Sequence, residues 1–79
     1  MKITQSMVDL MKAFSIAAMC KDSIDELREL YHYGLVELGN LSKEETITPE
    51  QACSVTEFFR DTIRNEESRI ENTVSASVK

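Results

Sequence analysis

The residue types that carry most protein chemistry are sparse in this chain. There is one histidine, His32, and there are two cysteines, Cys20 and Cys53. A zinc site draws on three or four His, Cys or carboxylate ligands at short, fixed spacings. No second His or Cys lies close in sequence to any of the three. A Cys–His nucleophilic pair needs a thiol, an imidazole and an orienting group brought together. All three residues fall in segments that read as helix, without the loop or strained turn that usually presents a nucleophile. Adjacent carboxylates are numerous: Asp25 and Glu26, Glu44 and Glu45, Glu66 and Glu67. General acid–base work requires a pocket that shifts their pKa values, and these pairs sit in polar stretches that read as solvated faces. Gly34, Gly39 and Pro49 do not cluster into a phosphate-binding loop. No EF-hand or HExxH spacing is present. The expectation is a non-catalytic protein, with no catalytic, cofactor-binding or metal-ligating residue.

Charge narrows the partner class. The 79 residues hold nine Lys and Arg against fourteen Asp and Glu, a net charge of −5. The imbalance is spread evenly: residues 1–40 have four basic and six acidic side chains, residues 41–79 five and eight. Nucleic-acid binding draws most of its affinity from Lys and Arg at phosphates. The basic residues that could form a stripe, Lys43, Arg60 and Arg64, are interrupted by Glu44, Glu45, Glu57 and Asp61. The expectation is therefore no nucleic acid. No stretch approaches the roughly 18 apolar residues that would span a bilayer, and the first residues do not read as a signal peptide. The reading is a cytoplasmic protein with no membrane association and reduced thiols, Cys20 and Cys53 lying in or near the core.

Whatever surface acts must be held by helices. Gly and Pro are too rare for the frequent turns of an all-β fold, and the apolar spacing is helical. A first helix is expected over about 7–20, capped by Ser6, with Met7, Leu10, Met11, Phe14, Ala17 and Ala18 on one face and Val8, Ile16 and Met19 widening it. A second is expected over about 24–38. Ser23 and Glu26 have capping-box spacing, Ile24, Leu27, Tyr31, Gly34 and Leu38 form a seam, and Gly39-Asn40 is a C-terminal stop. The junction at Lys21-Asp22-Ser23 reads as a break, with a continuous helix as the alternative. Residues 41–47 read as a polar connection. A third helix is expected over about 49–70, with Thr48 as N-cap, Pro49 at the first helical position and Gln51 completing the box. Its inward face is Ala52, Val55, Phe59, Thr62, Ile63 and Ile70, with Phe58 beside it. Arg64 to Asn72 has one large apolar residue, Ile70, so this end is either solvated or covered by another subunit.

The fold class expected is all-α: one domain over residues 1–72, a small three-helix bundle or a bent helical hairpin, with a flexible tail at 73–79. A chain this short has a thin core, and the first helix is apolar on more than one face. Assembly as a homodimer built on the first and third helices would cover the surplus. The function expected is protein–protein interaction, as a regulator, adaptor or inhibitor. Aromatic and Met side chains at the apolar margin are the expected contacts: His32, Tyr33, Phe58, Met11 and Met19. Two alternatives carry less of the sequence. A helix-turn-helix DNA-binding regulator would need a short turn and a basic recognition helix, whereas the connection before Thr48 reads long and the helix after it opens Pro49-Glu50-Gln51. An acidic DNA-mimic inhibitor would need a denser acidic face than a net −5 supplies.

Overall fold

The structure, a computed structural model, describes the backbone of residues 4–77 and the side chains of residues 4–73. It contains three helices in the order α1 (Gln5–Met19), α2 (Ile24–Glu44) and α3 (Pro49–Ser77), and no strand among the described residues. Each helix packs against both of the others. The bundle measures 51 × 20 × 17 Å. At 1.5 Å per residue α2 is about 32 Å long and α3 about 43 Å, so neither fits across the short dimensions and both run along the long axis. The three-helix bundle is the architecture present; the bent hairpin is not. The break at Lys21-Asp22-Ser23 is real, because α1 ends at Met19 and α2 begins at Ile24.

Local chemistry explains the helix starts. Thr4, not Ser6, caps α1: its backbone is extended (φ −76°, ψ 161°) and its hydroxyl accepts from the Met7 amide at 3.2 Å. Ser6 lies inside the first turn and does something different. It donates to Glu45 Oε1 at 2.7 Å, while the Thr4 hydroxyl donates to Glu45 Oε2 at 3.3 Å. The carboxylate at the C-cap of α2 thus ties down the start of α1. At α2 the Ser23 hydroxyl accepts from the Glu26 amide at 3.2 Å, but the Glu26 carboxylate receives the Ser23 hydroxyl rather than its amide. The box at α3 is complete: Gln51 N donates to Thr48 Oγ1 at 3.1 Å and Thr48 N to Gln51 Oε1 at 2.9 Å.

The helix ends differ from the sequence expectation. Gly39 does not stop α2, which runs five residues further, to Glu44. No described Gly has a positive φ, so Gly39 is not a left-handed cap. The Ser42 hydroxyl donates to its carbonyl at 2.8 Å. Burial of Leu38 and partial burial of Leu41 against the core carry the helix through. The connection is accordingly residues 45–48 rather than 41–47. Helix α3 continues to Ser77, past the expected end at residue 70 and into the stretch read as a tail; residues 78 and 79 of that stretch lie outside the described residues.

The core is a single cluster built from Met7, Phe14 and Ala18 of α1, Leu27 and Leu38 of α2, and Val55, Phe59, Ile63 and Ile70 of α3. Gly34, also buried, lies beside the Phe14 ring. Three observations set the direction of the helices. Thr4 and Ser6 meet Glu45 at one end, the Phe14 and Phe59 rings stack at 4.1 Å in the middle, and Arg69 Nη2 donates to the Lys21 carbonyl at 2.8 Å near the other end. Helices α1 and α3 are therefore parallel and α2 is antiparallel to both. Ile70 is buried by its own chain, beside the α1–α2 corner. No second subunit is needed to cover it.

Candidate functional site

Helix geometry leaves α1 with apolar side chains outside its core face. Met7, Phe14 and Ala18 point into the core. At 100° per residue Val8, Lys12, Ser15 and Met19 form a second stripe, about 110° around the helix from the first. One edge of this stripe meets α3. There Val8, Met11, Lys12 and Ser15 of α1 and Phe58 of α3 line an open groove of about 380 Å³ whose surface is almost entirely apolar. The groove exists because α1 and α3 run parallel. Phe58, one position before the fully buried Phe59, lies at the flank of the α3 core face and is half-buried. Beyond the other edge of the stripe Ile16 is 65% exposed, and Met19 at the end of α1 is 65% exposed. A large apolar side chain left in water loses roughly 1.5–3 kcal/mol relative to burial. Ile16 and Met19 stand within one turn of each other on this side of α1.

The five expected contact residues do not form one site. Met11 and Phe58 come together in the α1–α3 groove, and Met19 continues the α1 stripe from it. Tyr33, 62% exposed, instead borders a separate depression with Lys21, Glu26, Glu29 and Leu30. His32 is exposed on α2, about 100° around the helix from Tyr33. Val8, Lys12, Ser15 and Ile16 were absent from the expected contacts. Their 3- and 4-residue spacing is legible in the sequence, but Lys12 and Ser15 break the apolar run that would draw attention to it.

Cys20 and Cys53 are both exposed, contrary to the core placement expected of them. Cys20 is the C-cap of α1, where the chain leaves the bundle, and Cys53 lies on the outer face of α3 with Sγ 3.7 Å from Glu57 Oε1. No group of three His, Cys, Asp or Glu among the described residues is arranged to hold a metal ion.

The basic residues also separate. Arg60 and Arg64 border a depression of about 210 Å³ with Tyr31, Ile63 and Glu67. Lys43 is twelve residues along α2 from Tyr31, about 18 Å of helix. The expectation of a long turn before α3 does not hold, since the connection is residues 45–48. The helix-turn-helix arrangement nevertheless needs two helices crossing at roughly 90–120°, and α2 and α3 share the long axis of the bundle.

The sequence matches no known protein family, and no curated protein or solved structure shows detectable similarity to the chain. No helix among the described residues is long and apolar enough to cross a membrane.

Proposed function

We propose that this protein is a non-catalytic protein-interaction module of the cytoplasm, acting as a small regulator, adaptor or inhibitor and assembling as a dimer through α1 and α3. The observation that carries the reading is apolar surface of α1 outside its core face: the groove lined by Val8, Met11 and Phe58, and the exposed Ile16 and Met19. Met11 and Phe58 pack partly against the core, whereas Ile16 and Met19 are left in solvent. Met11 and Phe58 are the contacts favoured by the geometry, because Met adapts to a partner's shape and aromatic rings supply much of the binding energy at interfaces. The aligned axes of α2 and α3 and the separation of Lys43 from Arg60 and Arg64 weigh against a DNA-binding alternative.

The test compares proteins retained from the native host by the wild-type chain and by Met11→Glu and Phe58→Ala. Retention of a defined protein by the wild type, lost in both variants at unchanged helical content, supports the reading. Equal retention by all three removes the groove from the contact surface. Salt-sensitive retention of duplex DNA by the wild type would replace the reading with the DNA-binding one.

A further inference from the structure

We infer that the groove between α1 and α2 binds a basic amphipathic helix of another protein. This surface lies on a different side of the bundle from the α1–α3 groove, so it goes beyond the reading above and is tested separately from it. Two depressions open along the seam where α2 runs antiparallel to α1. One, of about 160 Å³, is lined by Ser6 and Leu10 of α1 and by Glu37, Asn40, Leu41 and Glu44 of α2. The other, of about 390 Å³, is lined by Lys21, Glu26, Glu29, Leu30 and Tyr33. Together they follow α1 from its first turn to its corner with α2, about 22 Å. Leu10, Leu30 and Leu41 pack partly against the core and form the floor, while Tyr33 stands 62% exposed on the rim. A seam of that length accommodates about four turns of a partner helix, the helix-in-groove mode of recognition.

Charge selects the occupant. Glu26, Glu29, Tyr33, Glu37, Asn40 and Glu44 step by 3, 4, 4, 3 and 4 residues and so fall on one strip of α2. The strip has four carboxylates and no Lys or Arg. The cations of α2, Arg28 and Lys43, lie about 80° or more around the helix from its centre. The edge of α1 that faces this strip, Ser6, Leu10, Ala13 and Ala17, adds no charge, and Lys21 stands at one end. Among the described residues the only ion pair joins Arg69 to Glu66 on α3, so the four carboxylates are not neutralised within the chain. They are strung along the helix rather than gathered, and no three acidic side chains among the described residues converge to hold a metal ion. Nucleic-acid phosphates and anionic lipid are repelled by such a rim. A two-fold pairing of this face with itself would set one row of carboxylates against the other, a like-charge juxtaposition that costs affinity. A helix with an apolar stripe flanked by Lys or Arg meets both features: its apolar residues cover the leucines and Tyr33, and its long basic side chains lay their stems on that surface and carry their charges to the rim. Tyr33 supplies the exposed aromatic anchor.

Titration of the isotope-labelled full chain with synthetic peptides of about 15 residues, followed by amide chemical shifts, tests this. One peptide is a helix with a leucine stripe flanked by lysines, the second has the same residues scrambled, and the third has the leucine stripe flanked by glutamates. The lysine-flanked helix is expected to shift the amides of Leu30, Tyr33 and Glu37, with an affinity that falls as salt is raised. Glu29→Lys combined with Glu37→Lys is expected to weaken its binding at least about tenfold through like-charge contact, and Tyr33→Ala at least about fivefold through loss of the aromatic anchor. Circular dichroism checks the fold of each variant; should the double reversal unfold, Glu29→Gln with Glu37→Gln takes its place and is expected to weaken binding about threefold. Met11→Glu and Phe58→Ala are expected to leave this binding unchanged, which separates it from the α1–α3 groove. Equal binding of the scrambled or glutamate-flanked peptide, indifference to the Tyr33 and Glu29/Glu37 changes, or shifts confined to Val8, Met11 and Phe58 overturns the inference. Absence of binding by the lysine-flanked helix at low salt overturns it as well, and self-association lost in Tyr33→Ala would then make a second copy the occupant.

Discussion

The rings of Phe14 and Phe59 stack with centroids 4.1 Å apart and planes inclined by 23°, against the backbone of Gly34. This contact joins all three helices. A Cβ at Gly34 would lie 2.7 Å from Phe14 Cε2, 2.8 Å from Phe14 Cδ2 and 3.2 Å from Phe59 Cε2. The close approach, not a turn, is why glycine stands there.

Gly34→Ala is therefore expected to destabilise the protein despite alanine's higher helix propensity. Propensity favours Ala by about 1 kcal/mol, but two buried rings would have to move, and overpacking typically costs about 1–3 kcal/mol. Urea denaturation followed by circular dichroism gives the sign: a midpoint at or above that of the wild type would mean the stack yields freely.

Gly39→Ala should have the opposite effect. Gly39 is exposed within α2, has no positive φ, and a Cβ there would meet nothing within 4 Å. Losing the entropic penalty of glycine is expected to stabilise the fold by about 0.5–1 kcal/mol. The same denaturation series checks it, and the pair of glycine variants moving in opposite directions is the diagnostic result.

Glu45 receives two hydroxyls from the start of α1. Glu45→Ala removes both partly buried hydrogen bonds and is expected to cost about 1–2 kcal/mol. Ser6→Ala, which removes only the 2.7 Å bond, should cost about half as much. Amide hydrogen exchange should show the first turn of α1 opening more readily in Glu45→Ala, while the α3 core amides near Phe59 slow or quicken only with global stability.

Both thiols are exposed in the folded protein. Cys20 and Cys53 should each react with a maleimide under native conditions without prior unfolding, giving two additions by intact mass spectrometry within the time taken by a model thiol. Protection of either one until denaturant is added would contradict its placement.

The outcome for these residues shows where sequence and structure divide. Spacing and capping chemistry are local, so the start of α3 at Thr48-Pro49-Gln51, the break before Ile24 and the α2 seam through Leu27, Gly34 and Leu38 were legible from the chain alone. The ends of α2 and α3 were not, because a glycine or a polar stretch ends a helix only where packing does not carry it on. Leu38 and Leu41 carry α2 through Gly39. The Ser6 hydroxyl could not be distinguished from a cap until Glu45, 39 residues away, was brought beside it. The usual burial of free cysteine placed both inside, whereas the end of α1 exposes Cys20 and the outer face of α3 exposes Cys53.

What the sequence by itself determined was that the chain is helical and acidic, and that α1 is apolar on more than one side. Those properties follow from residue order within single turns. Only the tertiary structure decided which side of α1 is consumed by the core and which is left over. That choice depends on α1 running parallel to α3, which sets Phe14 on Phe59, closes the core over Met7 and Ala18, and leaves Val8, Met11 and Phe58 lining an open groove.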